Sequence, residues 1–288
     1  MNRMMAYKAK HALLLLILSL TLASCHSSHN KTIKVRHPWA GKKVGFIGDS
    51  MTDPDCYGKE TVKYWYFLQK WLKITPCVSA VSGRQWSELP ALANNLYNKY
   101  GTELDAIIVF LGTNDFNAAV PLGEWFSEEE AETPRAYKGD TVSIIKRVQR
   151  VPNFNEETFK GRINAGIYIL KALWPDKQIV LLTPLHRSTA VFGITNYQPN
   201  ENFQNECGEY LDAYVEAIKE AGNIWGVPVI DIHSLVGINP FVQEQVAYYR
   251  NADSDLLHLS TKGHKRLAKT LVQQLVSLPV EFDDEHSR

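Results

Sequence analysis

The sequence predicts an α/β fold in which a five-stranded parallel sheet is covered by helices on both faces. Three observations lead there. Short apolar runs recur near residues 43–48, 77–81, 104–111, 178–182 and 227–231, each about the length of a buried strand. Segments with apolar residues three and four apart fall between the runs, so strands alternate with helices, as a parallel sheet requires. Four of the runs end in polar tips, at Ser50, Gly83, Asn114 and His186. In a parallel sheet those tips collect at one edge, where open sheets of this kind bind ligands.

The first run, Val44-Gly45-Phe46-Ile47, stops at Gly48 and gives way to Asp49-Ser50-Met51-Thr52-Asp53, which reads as a buried strand entering a tight turn. Residues 57–73 carry Tyr64, Trp65, Phe67, Leu68, Trp71 and Leu72 at helical spacing, the pattern of a helix lying on a sheet. The second strand, near 77–81, ends in Ser82-Gly83-Arg84, and a helix over 87–97 is stopped by Gly101. Residues 104–111 give the strongest strand signal and run into Gly112-Thr113-Asn114-Asp115.

From 116 to 155 the periodicity fails. Pro121, Gly123, Pro134, Gly139 and Pro152 interrupt it, and Glu128, Glu129, Glu130 and Glu132 form an acidic cluster. So long an excursion is either a surface feature or a wall of the site, since it leaves directly from Asn114. A helix is expected over 156–173, then a strand at 178–182 that runs into Thr183-Pro184-Leu185-His186-Arg187. A loop bearing Phe192 and Tyr197, a helix over 201–221 and a last strand at 227–231 follow. A second loop carries Asp255-Leu256-Leu257-His258, and Ser260 reads as the N-cap of a final helix over 261–276.

Lys and Arg number 31 against 31 Asp and Glu, so there is no general attraction to nucleic acid. The N-terminus does not belong to the fold. Arg3, Lys8 and Lys10 precede an apolar run at 12–18, too short for an ordinary membrane span and typical of a secretory signal. Leu22-Ala23-Ser24-Cys25 resembles a bacterial lipobox, in which Cys25 becomes the lipidated N-terminus; the alternative is a plain signal peptide with an incidental cysteine. The lipobox reading divides the chain into a signal peptide (1–25), a tether (26–40), one domain (41–280) and a tail (281–288). It implies a bacterial envelope protein held to a membrane by an N-terminal lipid. No Asp follows Cys25 to suggest retention at the inner membrane, so the outer membrane is expected, facing the periplasm or the surface. Cys56, Cys77 and Cys207 are too few for a disulfide framework, and spacing leaves open one pair or three free thiols.

The strand tips can supply an acyl-transfer site. Such a site needs a nucleophile, a base to take its proton, a carboxylate to orient the base, and donors for the oxyanion. Ser50 is the candidate nucleophile, His258 the base and Asp255 its orienting carboxylate. The backbone N–H groups of Ser50 and Gly83 and the side-chain amide of Asn114 are the candidate oxyanion donors. Arg84, His186 and Arg187 stand at strand tips as candidate substrate contacts, each equally readable as structural. Trp86 and Trp125 either stack on sugar or fill the core, Asp49 and Asp115 are expected to brace their turns, and His233 and His264 read as structural. No zinc-binding spacing and no nucleotide-binding glycine pattern is present.

The stretches Gly48-Asp49-Ser50, Gly83, Gly112-Thr113-Asn114-Asp115 and Asp255-Leu256-Leu257-His258 resemble the four signature blocks of the SGNH (GDSL-type) hydrolase superfamily, in the same order. Met51 stands where that family's first block has Leu. The resemblance implies a flavodoxin-like three-layer α/β/α sandwich, a family of esterases, lipases and carbohydrate deacetylases, and no metal or cofactor. The expected activity is a serine esterase acting through an acyl-enzyme on O-acetyl or other short-acyl esters of carbohydrate. A lipase or lysophospholipase acting on longer chains is the first alternative. A non-catalytic glycan-binding relative is the second.

Overall fold

The computed structural model describes residues 37–135, 142–280 and 282. The chain begins with β1 (Lys43–Gly48), α1 (Tyr64–Leu72), β2 (Thr75–Ala80), α2 (Leu89–Tyr100), β3 (Ala106–Phe110) and α3 (Thr113–Asn117). It continues with β4 (Phe126–Pro134), β5 (Ile144–Pro152), α4 (Phe159–Leu173), β6 (Gln178–Leu182), β7 (Ala190–Val191) and β8 (Tyr197–Gln198). It ends with α5 (Leu211–Trp225), β9 (Val229–Ile230), α6 (Ile232–Leu235), β10 (Tyr249–Asn251), β11 (Asp255–Leu259) and α7 (Thr261–Ser277).

The strands β2, β1, β3, β6 and β9 lie side by side in that order, every pair parallel, and they are the five expected from the apolar runs. Alternation within them sorts side chains to two faces. Ile47, Ile107, Val109, Ile179 and Leu181 pack with Leu89, Leu92, Leu96, Ile163, Ile167 and Ile218 beneath α2, α4 and α5. Val44, Phe46, Ile108, Val180 and Leu182 pack with Leu68, Leu72, Leu267, Leu271 and Leu275 of α1 and α7. The chain is therefore a three-layer α/β/α sandwich, and burial on both faces is why Ala106–Phe110 is apolar throughout. Each fully buried Leu contributes roughly 1.5–3 kcal/mol.

The winding reverses between β1 and β3, which are neighbours although β2 lies between them in sequence. That is the switch point at which sheets of this class open a crevice beyond their carboxyl ends. Ser50 follows β1 there and Asn114 follows β3.

Several boundaries differ from the sequence reading. The 116–155 excursion holds the short helix α3 and a two-stranded antiparallel hairpin, β4 with β5, that joins no other strand among the described residues. None of the residues of β4 and β5 is buried, so no apolar alternation marks them. Its pairing is written in charge instead: Glu128 stands opposite Arg150 and Glu132 opposite Lys146. The helix expected from 201 starts only at Leu211, because Asn200 and Asn205 turn the chain through side-chain bonds to the N–H groups of Asn202, Cys207 and Glu209. The helix expected from 57 starts at Tyr64, after a left-handed Tyr57 (φ 61°) and a 3-10 turn at Gly58–Glu60.

The ends differ as well. Trp39 is fully buried and donates its indole N–H to Leu275 O at 2.8 Å, so the expected tether (26–40) ends before it. Phe282, in the expected tail (281–288), packs its ring edge-on to Trp39. The signal peptide and Cys25 lie outside the described residues. Cys56, Cys77 and Cys207 are free thiols. Ser260 caps α7, accepting from Gly263 N.

Candidate active site

Ser50 sits in the turn that closes β1. Asp49 shapes this turn: its side chain accepts from Met51 N at 3.0 Å, and its carbonyl from Thr52 N and Asp53 N at 2.9 and 2.8 Å. Gly48 is required because a Cβ there would collide with the Thr52 side chain. The Lys63 ammonium donates to Ser50 O at 2.7 Å and anchors the serine backbone. The Ser50 side chain remains at the half-buried surface of the crevice.

The opposite wall is β11, in a four-stranded antiparallel sheet ordered β10-β11-β7-β8. The sequence placed Asp255 and His258 on a loop; they lie on this strand. Residues three apart on a regular strand point to opposite faces. Here Tyr249 pairs with Leu259 and Asn251 with Asp255, so two steps on β10 face four on β11. The bulge bends β11 until Asp255 Oδ1 accepts the backbone N–H of His258 at 3.0 Å. Both side chains then face Ser50.

The result is a continuous hydrogen-bonded chain. His258 Nε2 lies 2.9 Å from Ser50 Oγ, and His258 Nδ1 lies 3.0 and 3.1 Å from the two Asp255 oxygens. An ionised carboxylate only accepts, so Nδ1 carries the proton toward Asp255 and Nε2 is free to accept from Ser50. Burial pushes the Asp255 carboxyl up. The ring and backbone donors of His258, the imidazole charge and the Tyr57 hydroxyl outweigh that and hold it below the usual carboxylate range.

The β2 tip completes the crevice. Gly83 is exposed and left-handed (φ 82°), with open space where a Cβ would stand. Asp53 fastens this tip to the serine turn by accepting both Ser82 N and Ser82 Oγ at 2.8 Å. The N–H groups of Ser50 and Gly83 have no acceptor among the described residues. Asn114 Nδ2 donates to Arg84 O at 3.0 Å and reaches Asp49 Oδ2 at 3.2 Å. Burial, opposed by the Met51 N–H and the Lys63 charge, pushes the Asp49 carboxyl up to about 7. Asp115 is likewise pushed to about 7 by burial, against the Trp86 N–H and Arg162. Asp49 braces its own turn, as expected, whereas the Asp115 carboxylate fastens the Trp86 N–H and Arg162 of neighbouring segments.

The other candidates are engaged by partners of their own. Arg84 pairs with Glu88 beside Gly83. His186 Nδ1 meets Glu201 at 2.6 Å, a bond that raises its basicity, and its ring lies 3.6 Å from that of His233. Arg187 is fully buried, bonded to Gln198, Asn117 and Pro199 O, so it is no substrate contact. Trp86 and Trp125 are buried in the core and offer no sugar platform. His264 is fully buried against the Tyr64 ring. Among the described residues no cluster of His, Cys, Asp and Glu could hold a metal ion.

Two site residues gave no signal in the sequence, Asp53 and Tyr57. The Tyr57 hydroxyl lies 2.9 Å from Asp255 Oδ2 and 3.2 Å from His258 Nδ1.

Residues 46–266 match the GDSL-like lipase/acylhydrolase family. The chain belongs to this family. It is a carboxylic ester hydrolase. Among solved structures, a Lactobacillus plantarum protein superposes with a TM-score of 0.63 at 22% identity, covering 84% of this chain and 99% of its own. A possible lipase from Chitinophaga pinensis gives 0.59 at 21%, covering 81% and 97%. An acetylxylan esterase from Geobacillus stearothermophilus, solved as a catalytic mutant, gives 0.50 at 16%, covering 85% and 98%. At these identities the likeness is one of fold. No curated protein matches the chain.

Proposed function

We propose that this GDSL-family hydrolase is a serine esterase that forms an acyl-enzyme on Ser50 and acts on O-acetyl or other short-acyl esters of carbohydrate. The unbroken chain from Ser50 Oγ through His258 to Asp255 carries the reading. Ser50 Oγ attacks the ester carbonyl while His258 Nε2 takes its proton, and Asp255 stabilises the imidazolium. The N–H groups of Ser50 and Gly83 hold the oxyanion, and the Asn114 amide joins them by giving up its bond to Asp49 Oδ2 or to Arg84 O; each such donor is worth about 10²–10³ in rate. His258 returns the proton to the leaving alcohol, and water repeats the sequence to release the acid.

The preference for a small polar substrate is supported by the β2 side of the crevice, where Ser82 and Gly83 are exposed and Arg84 is half-buried. An activity series on p-nitrophenyl esters tests it. kcat/KM is expected to be highest for acetyl and about tenfold or more lower by octanoyl. A rise toward palmitoyl would favour a lipase.

We further propose that Cys25 carries the lipid anchor that places this site in the cell envelope, among glycans. Cys25→Ala is expected to abolish incorporation of labelled palmitate; full retention of the label would rule the anchor out.

A further inference from the structure

We propose that Tyr57 is a positioning residue of the catalytic relay, a fourth member that holds Asp255 and His258 in register with Ser50. The inference rests on the serine-esterase reading above.

Three contacts from one side chain carry it. The Tyr57 hydroxyl reaches Asp255 Oδ2 at 2.9 Å, so that oxygen accepts from Tyr57 as well as from His258. The same oxygen atom of Tyr57 lies 3.2 Å from His258 Nδ1, so it meets both relay partners at once. The Tyr57 ring packs edge-on against the imidazole, with centroids 5.1 Å apart and planes at 80°. Phe192 lies against the same imidazole, 5.4 Å away at 66°. His258 is therefore held by aromatic rings as well as by hydrogen bonds, and a turn of the ring away from Ser50 meets those rings.

Tyr57 is itself held in place. Its backbone is left-handed (φ 61°), a conformation that a bulky side chain rarely adopts and that persists only when its surroundings impose it. The Arg250 guanidinium lies 3.6 Å above its ring and is fixed by Glu60 at 2.9 Å. The segment between β1 and α1 is thus fastened to β10 and β11 through Tyr57, although 198 positions separate it from Asp255.

The role has a direction. A phenol donating to Asp255 draws charge from the carboxylate, and a less basic carboxylate stabilises the imidazolium less. Without the hydroxyl, the Asp255 carboxylate loses one of the donors that hold it below the usual range, and it stabilises the imidazolium formed in the reaction more strongly. The charged and titratable groups around this unit are Arg250, Glu60, Cys56, Arg187, Lys63 and His264, none of which is altered by a change at the hydroxyl.

The test is Tyr57→Phe, which keeps the ring and removes the donor. With p-nitrophenyl acetate, kcat is expected to fall about tenfold with KM little changed. The acid limb of the kcat/KM profile is expected to move up by roughly half a pH unit. Replacing Tyr57 by 3-fluorotyrosine, a stronger donor, is expected to move the limb the other way, and it carries the test if the Phe variant does not fold. An acid limb unmoved in either protein would overturn the proposal, whatever happened to kcat. Failure of the serine-esterase reading looks different: there Ser50→Ala itself would retain activity. An inactive Ser50→Ala beside an unmoved limb removes the role of Tyr57 alone.

Discussion

Ser50→Ala is expected to lower kcat for p-nitrophenyl acetate by a factor on the order of 10⁶ while leaving the fold intact. The Ser50 hydroxyl has His258 Nε2 as its partner, at 2.9 Å, and the backbone of the turn is held by other groups: Asp49, and Lys63 on the Ser50 carbonyl. Removing one oxygen therefore takes away the nucleophile and little else. What remains is the oxyanion site and substrate binding, which sustain a small residual rate. Thermal unfolding of the variant should superpose on the parent, and KM should change little. A variant hydrolysing the ester at the parental rate would contradict the assignment of Ser50 as nucleophile.

Asp255→Asn is expected to cost about 10⁴ in kcat. The reason is the tautomer. Asp255 Oδ1 accepts the backbone N–H groups of Leu257 and His258 at 3.3 and 3.0 Å, and an asparagine oxygen can keep both bonds. Its NH₂ group then faces His258 Nδ1 as a donor. Nδ1 loses its proton to Nε2, and Nε2 can no longer take the proton of Ser50.

The same variant has a stability signature. The folded Asp255 carboxyl is held below its unfolded value, because its donors outweigh burial. Such a group stabilises the fold above the unfolded carboxylate pKa, and the contribution is lost as pH falls through the folded value. The parent should therefore lose more stability than Asp255→Asn on acidification from neutral pH to about pH 3. Urea unfolding at the two pH values checks this, and equal losses would contradict it.

The parts of this molecule that were legible in the sequence are those whose pattern comes from the central sheet. Ala106–Phe110 is buried on both faces and reads as a strand from its apolar run alone. Ser50 and Asn114 were legible because each follows such a run at a glycine, and strand ends in this topology meet at one edge. Asp255 and His258 were legible as a pair at a usable spacing, yet their place on a bulged strand was not. The bulge depends on pairing with β10, which no local pattern announces.

The hairpin β4–β5 was illegible for the opposite reason, since none of its strand residues is fully buried and the alternation that marks a half-buried strand is absent. Its signal was the acidic run of 128–132 and the basic residues of 146–150, which only pairing explains. Arg187 read equally as a substrate contact or a structural group at a strand tip, and its guanidinium donates to Gln198, Asn117 and a carbonyl inside the fold. Tyr57 and Asp53 act across the chain on Asp255 and Ser82, at separations of 198 and 29 residues, where sequence spacing carries no information.

The central claim is that the Ser50 hydroxyl is the group activated by His258. Reaction of the purified protein with a fluorophosphonate probe, followed by peptide mapping of the adduct, tests it most directly. One adduct per chain on Ser50, formed far more slowly in His258→Ala, is the expected result. A folded protein that takes up no probe, or takes it up at another residue, would contradict it.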